Sequence, residues 1–255
     1  MSEQIVEKKT GFWASNQYYR LSVELVEEFC GWRNLNELIR SAGSLRNQAF
    51  FTGLFQTGGR VTEVLGLITE KFVVRQTEGV IICRDMMLKK RYKKVKEILD
   101  ETGKRRWLTE KISAKRKPFP IIIAEPLSPI LIEWIGQSKE WLFPSPYKDS
   151  APLTRFWAYK LVRRLDLRIS EELRISLGLN KPLIVNEIQV KARIHLWLHW
   201  FRSQRASQLV RDYGFEIIDL LKYFSWEKYE TALHYAQKGW KDLAAKMKAA
   251  PIVYT

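Results

Sequence analysis

The sequence predicts an α+β domain that is mainly α-helical and carries a small antiparallel β component. Apolar residues recur at helical spacing in several stretches, and capping residues such as Ser44 and Thr154 precede two of them. Two short β-rich runs, 72–74 and 80–82, flank a turn that ends at Gly79, and this pattern predicts a hairpin. An apolar content of 46% over 255 residues is enough for a sizeable core.

The composition indicates a polyanionic partner. Lys and Arg number 43 against 28 Asp and Glu, and the resulting net charge of +15 is far more than solubility requires. We expect nucleic acid first and an acidic membrane surface second. No apolar run reaches the roughly 18 residues of a membrane span, and the N-terminus lacks the layout of a signal peptide. We therefore expect a cytoplasmic, DNA-associated protein without a membrane partner. Two Cys and three His are too few for a disulfide framework or a metal cluster, so we expect no metal and no cofactor.

The first part of the chain leads up to a charged pair. Residues 1–43 have a helical pattern around 22–29 and predict a short helical lead-in to a domain over 44–255. A helix is expected to run from the Ser44 cap to the two glycines that precede Arg60. Glu63 lies one helical turn after Arg60 and can hold its guanidinium in place. Taken alone, this pair would be interpreted as a surface ion pair.

A long basic segment occupies residues 84–117. It contains fourteen basic and five acidic residues, and so +9 of the net +15, with Tyr92 and Trp107 interleaved. A solvated charged face is the ordinary explanation of a Lys run, but this concentration predicts an arm that contacts phosphates. The residues assigned to DNA contact are Lys89, Lys90, Arg91, Lys93, Lys94, Arg105, Arg106, Arg116 and Lys117.

The segment between the basic arm and His199 is expected to be structural scaffold. A run over 118–123 that looks like a strand follows the arm. Ser128 is expected to cap a helix that has Pro129 in its first turn. Thr154 predicts the start of a helix over 156–165. A shorter helix over 171–177, ended by Gly178, and an irregular stretch are expected to lead to His199.

The second candidate group lies near the C-terminus. His199 and Arg202 are three positions apart at a helix start, so an imidazole and a guanidinium share one face. Gly214 closes that helix in the manner of a left-handed cap, and a second apolar run brings the chain back to Trp226 and Tyr235. His195 is a rival for the first position, but it lacks an Arg three residues later.

In this order, the residues resemble the signature of the tyrosine recombinase (phage integrase) family. The first half of that signature is matched by Thr57-Gly58-Gly59-Arg60-Val61-Thr62-Glu63-Val64-Leu65-Gly66-Leu67. The second half is matched by His199-x-x-Arg202, then Trp226, and Tyr235 nine positions later. The resemblance implies a recombinase catalytic domain with a small antiparallel sheet on one side and a C-terminal helix over 238–249. Most members carry a helical core-binding domain before the Arg motif, for which residues 1–43 leave no room.

The resemblance also implies roles for individual residues. Tyr235 is the nucleophile, and the donors that stabilise the reacting phosphate are Arg60, His199, Arg202 and Trp226. Glu63 supports Arg60. The general acid is Lys115 or Lys111, with Lys89 and Lys90 as further candidates.

The implied reaction is site-specific cleavage and rejoining of double-stranded DNA through a 3′-phosphotyrosine link. It would need neither metal nor ATP and would take place in a synaptic tetramer of the protein. Two alternatives stay open: a DNA relaxase without site preference, and a DNA-binding regulator that keeps the fold without turnover.

Overall fold

The computed structural model describes residues 31–88, 91–99, 101–102, 105–112, 114–145, 147, 151–185, 188–193 and 195–236. The predicted helices around 22–29 and over 238–249 lie outside these residues. Within the described ranges, the helices are α1 (Leu35–Arg40), α2 (Leu45–Thr57), α3 (Val61–Leu65), α4 (Ser128–Gln137), α5 (Arg155–Asp166), α6 (Glu171–Ser176), α7 (Leu198–Arg211), α8 (Ile217–Phe224) and α9 (Tyr229–Ala236). No helix in this part of the chain is long and apolar enough to span a bilayer.

In the described residues, the strands form one three-stranded sheet and two separate hairpins. Strands β1 (Phe72–Arg75), β2 (Val80–Cys83) and β5 (Phe119–Ile122) make a three-stranded antiparallel sheet in the order β1-β2-β5. Strands β3 (Arg91–Leu99) and β4 (Arg105–Ile112) pair as a hairpin within the basic segment. The predicted α+β class, mainly helical with a small antiparallel sheet, is confirmed.

Helix α2 is the centre of the core. Every residue from Ala49 to Thr57 is buried, and α2 packs against both α4 and α7. The Phe51 ring stacks on Phe201 of α7 at a centroid distance of 5.2 Å. As predicted, the helix ends at Gly58, which takes the left-handed conformation with φ of 56°.

A buried polar network fixes α7 against α2. Glu125 lies 2.6 Å from the Arg205 guanidinium, accepts a 2.6 Å hydrogen bond from the Tyr213 hydroxyl, and accepts another of 3.2 Å from Gln56. These three partners of the carboxylate come from α2, α7 and the segment after α7. A fully paired charge of this kind can be buried and specifies one relative placement of the helices.

Two scaffold predictions were wrong. Ser128 is the first residue of α4 and not its cap, because its hydroxyl donates to the Ile122 carbonyl and accepts a hydrogen bond from Gln56. The stretch before His199, expected to be irregular, contains a hairpin of β6 (Asn180–Val185) and β7 (Ile188–Arg193). By contrast, Thr154 does cap α5, since its hydroxyl accepts from the Trp157 amide.

Replacing Gly58 by Ala is expected to destabilise the fold markedly. A Cβ at this position would lie 2.4 Å from the Phe224 ring, and its φ of 56° is strained for any L side chain. The left-handed backbone costs about 1 kcal/mol, and overpacking adds roughly 1–3 kcal/mol. Urea unfolding of Gly58→Ala measures the sum. The matched control is Gly79→Ala, because Gly79 is also left-handed but has no atom near its Cβ position. Equal losses in the two variants would show that contact with Phe224 has no effect.

Candidate active site

Arg60 and Glu63 are held together at the start of α3. Arg60 is the residue before the helix, and its backbone N–H donates to Glu63 Oε2 at 2.7 Å while its Nη1 donates to Oε1 at 2.9 Å. Glu63 is buried, whereas about a third of the Arg60 side chain is exposed. The carboxylate therefore orients a guanidinium that solvent, or a ligand, can reach.

Arg202 approaches the same carboxylate from α7. Its side chain is buried, its Nη1 donates to the Gly58 carbonyl, and the same atom lies 3.7 Å from Glu63 Oε2. Nη2 has no hydrogen-bond partner among the described residues. Desolvation, opposed by Glu63 and reinforced by Arg60 and Arg116, lowers the pKa of Arg202 to about 9. The two guanidiniums of Arg60 and Arg202 carry more positive charge than the single Glu63 carboxylate neutralises. An excess of positive charge of this kind is typical of an anion-binding site.

His199 lies near the start of α7 and is exposed at the surface of this group. Partial desolvation of the ring, together with the guanidiniums of Arg202 and Arg60, lowers the pKa of His199 to about 4. Its imidazole is consequently neutral at physiological pH and can accept a hydrogen bond or a proton.

Tyr235 reaches the site through a stack of aromatic rings. Phe224 at the end of α8 stacks on Trp226 at 4.4 Å, and Trp226 stacks on Tyr235 at 5.3 Å, with interplanar angles of 13° and 22°. The Arg202 guanidinium lies 4.8 Å from the Phe224 ring centroid and 5.4 Å from that of Trp226. The Tyr235 hydroxyl lies 3.4 Å from Ser203 Oγ. The phenol is therefore placed beside Arg202 of its own chain.

The rival His195 has a different position. It is mostly exposed, and its Nδ1 lies 2.8 Å from Asp166 at the end of α5. Asp166 also accepts from the Leu196 amide and pairs with Arg174. Burial acts to raise the pKa of Asp166, but the hydrogen bonds from Leu196, His195 and Arg174 outweigh it and lower that pKa. This cluster fixes the chain just before α7 and contributes no group to the site.

The structure does not decide which lysine is the general acid. Lys115 is exposed at the base of the arm, where it pairs with Met87 and its Nζ lies 3.7 Å from Asp85. Lys111 lies in β4 opposite Tyr92, while Lys89 and Lys90 lie outside the described residues. The choice of general acid stays a prediction.

The DNA-contact residues divide into two groups. Those that lie in the two strands of the arm are Arg91, Lys93, Lys94, Arg105 and Arg106, and Lys117 is exposed just after it. For Arg116 the prediction was wrong: this side chain is 2% exposed and donates to the Thr57 and Tyr223 carbonyls inside the core. It cannot lie against DNA phosphates.

The outer face of α5, expected from the sequence to be scaffold, carries exposed aromatic and basic side chains. Phe156 and Tyr159 are exposed there, beside the exposed basic residues Lys160 and Arg163. The Lys160 ammonium lies 4.5 Å from the Phe156 ring centroid. The aromatic and basic residues between Arg155 and Arg164 are the sequence signal for this face.

The architecture is that of tyrosine recombinase catalytic domains, mainly helical with a small three-stranded antiparallel sheet. No protein-family model and no curated protein matches the sequence.

Solved structures do resemble the chain. An integrase of the Tn1549 transposon, in complex with a circular intermediate DNA, has a TM-score of 0.50 and 15% identity over 84% of this chain and 63% of that one. XerA recombinase has a TM-score of 0.48 and 17% identity over 87% and 63%. The XerH site-specific recombinase, bound to its difH substrate, has a TM-score of 0.47 and 17% identity over 85% and 52%. The chain thus spans 52% to 63% of the length of these three chains. At 15% identity, the likeness to the Tn1549 integrase establishes the fold alone.

The low pKa of His199 should appear as a pH dependence of stability. Between about pH 4 and the unfolded value of about 6.5, the unfolded chain binds a proton that the folded chain does not. The free energy of unfolding must therefore fall as the pH decreases through this window. His199→Gln should flatten this part of the profile in urea unfolding. NMR titration of the three His rings, with the variant used for assignment, should give His199 a pKa of about 4. Parallel profiles for the two proteins would contradict the shift.

Proposed function

We propose that this chain cleaves and rejoins double-stranded DNA at specific sites through a covalent link between Tyr235 and a 3′ phosphate. The observation that carries the proposal is the placement of a phenol, stacked on Trp226, beside the Arg60–Glu63–Arg202 group of the same chain. A binding module has no need of a tyrosine in this position. The solved chains of similar fold include proteins described with DNA, and this agrees with the net charge of +15.

The guanidiniums suit the charge that develops when a phosphodiester is attacked. Arg60 offers an exposed fork of N–H groups, and Arg202 adds a second charge beneath it. Both are fixed by Glu63 before substrate arrives, so little reorganisation is needed during the reaction. Trp226 adds an indole N–H, which lies in the plane of a ring whose position the stacking already fixes.

Proton transfer requires a base and an acid. A tyrosine hydroxyl has an ordinary pKa near 10, so it must lose its proton as it attacks. Neutral His199 can accept that proton, and Ser203 lies within 3.4 Å of the hydroxyl as a further polar contact. A lysine, Lys115 or Lys111, would donate a proton to the leaving 5′ oxygen.

The bonds balance without an external energy source. The Tyr235 oxygen forms a bond to phosphorus while the bond from phosphorus to the 5′ oxygen breaks, and the released 5′ hydroxyl takes up a proton. Attack by a second 5′ hydroxyl reverses these changes and frees the tyrosine. Strand exchange between two DNA sites would bring four copies of the protein together, which is the synaptic tetramer that the resemblance implies.

Two basic surfaces would hold the DNA. The arm formed by β3 and β4 supplies sequence-predicted phosphate contacts, and the outer face of α5 supplies Lys160 and Arg163 next to exposed aromatic rings. Basic side chains position a protein on the duplex backbone, while an exposed helix can enter the major groove.

Tyr235→Phe should abolish covalent attachment to DNA and leave binding intact, because only the nucleophilic oxygen is lost. The assay incubates plasmid DNA without metal or ATP, stops the reaction with detergent and detects protein-linked DNA. Tyr229→Phe is the matched control, since Tyr229 lies in the same helix and is 54% exposed. Adducts that persist in Tyr235→Phe would refute the assignment. Binding without adducts in wild type as well, on plasmids that carry candidate sites, would favour a DNA-binding regulator.

The α5 face should contribute to the salt dependence of DNA binding. Each lost phosphate contact reduces the slope of log K against log salt by about 1, so replacing both Lys160 and Arg163 by Gln should reduce it by about 2. Fluorescence anisotropy over a salt series measures the slope. Lys139→Gln, an exposed charge after α4, is the control and should leave the slope unchanged. An unaltered slope in the double variant would exclude α5 from the interface.

A further inference from the structure

Arg116 enters the core from the base of the arm. Its backbone N–H donates to the Met86 carbonyl at 2.8 Å, so the strand leading into β5 is paired with the strand leaving β2 at this point. Its neighbours Lys115 and Lys117 are exposed, as the alternation of an extended chain requires. Met86 itself packs against the loop before Arg60, since a Cβ on Gly59 would lie 2.9 Å from the Met86 methyl group.

The guanidinium of Arg116 joins the ends of two helices. Its Nη1 donates to the carbonyl of Thr57, the last residue of α2, at 2.6 Å, and its Nε donates to the carbonyl of Tyr223, next to the end of α8. The last carbonyls of a helix have no partner within the helix and carry the negative end of its dipole. These two helix ends therefore stabilise a buried cation that has no carboxylate within ion-pair distance in the described part of the chain.

The two carbonyls that Arg116 joins belong to residues a short distance before catalytic candidates in the sequence. Thr57 lies three residues before Arg60, and Tyr223 lies three residues before Trp226. The Phe224 ring lies 5.5 Å from the Arg116 guanidinium and 4.8 Å from that of Arg202. Arg202 donates to Gly58, the residue next to Thr57. Two guanidiniums thus hold consecutive carbonyls of the same loop, with one aromatic ring in contact with both.

We propose that Arg116 is a positioning residue that fixes the loop carrying Arg60 to the turn carrying Trp226, and so sets the geometry of the phosphate donors without touching the substrate. The proposal rests on the function proposed above. It gives Arg116 a role different from that of its basic neighbours in the arm, because its charge acts inside the protein and not on DNA.

The test compares Arg116→Met, which keeps the length of the side chain, with Arg116→Lys, which keeps a charge but cannot span two carbonyls. Misplacement of reacting groups by about 1 Å can reduce a rate by about 100-fold. We expect a loss of this order in adduct formation at saturating DNA for Arg116→Met, a smaller loss for Arg116→Lys, and an unchanged Kd for DNA. Leu38→Ala, in the core of α1, controls for a loss of stability alone and should keep the wild-type rate while folded.

A double-variant cycle separates positioning from general damage. If Arg116 acts through Trp226, then Arg116→Met combined with Trp226→Phe should lose less than the product of the two single losses. Multiplicative losses would overturn the role. Hydrogen exchange gives a readout that needs no activity: amides of 58–60 and 225–227 should exchange faster in Arg116→Met than in Leu38→Ala.

The outcomes distinguish the two proposals. Unchanged exchange in 58–60 and 225–227 would refute the clamp whatever the cleavage assay shows. Faster exchange with an unaltered rate would refute the positioning role. A wild-type protein that forms no adduct on any DNA would refute the proposed function and the positioning role with it, while the exchange data would still decide whether Arg116 joins the two segments.

Discussion

The burial of Arg202 against Glu63 is the interaction on which the rest of the site depends. The Arg202 guanidinium is only 2% exposed, so it needs acceptors inside the protein, and here they are the Glu63 carboxylate and the Gly58 carbonyl. Removing one partner of a buried pair costs about 3–5 kcal/mol. Because Glu63 also orients Arg60, the same carboxylate fixes both cations, and α3 must therefore pack against the N-terminal half of α7.

The packing around this site leaves no room for a side chain at Gly58, in the loop between α2 and α3. Gly58 takes a left-handed conformation, and the Phe224 ring occupies the space where a side chain would begin. The end of α8 can approach the loop only because no Cβ intervenes. The aromatic stack that begins at Phe224 then extends through Trp226 to Tyr235. The need for a glycine at position 58 is therefore linked, through this stack, to the position of Tyr235, the proposed nucleophile.

Local signals in the sequence predicted the parts of the fold that local physics determines. The end of α2 at Gly58, the hairpin of β1 and β2, and the cap of α5 by Thr154 all follow from residues within one turn of the feature. Local signals failed at Ser128, because its hydroxyl bonds to Ile122 and Gln56 and does not cap the helix. The β6–β7 hairpin was missed because the two residues between its strands in the sequence, Asn186 and Glu187, lack the glycine that marks a two-residue hairpin turn.

Arg116 shows why charge patterning could not predict the candidate site completely. Counting charges places all members of a basic run on one surface, whereas an extended backbone turns alternate side chains to opposite sides. Where such a strand borders the core, every second basic residue must be buried and paired. Here the partners are helix-end carbonyls and the rings of Phe119, Tyr223 and Phe224. Desolvation lowers the pKa of Arg116 to about 10. Only a three-dimensional structure identifies which cation faces inward, because the carbonyls that receive it lie more than fifty residues away on either side.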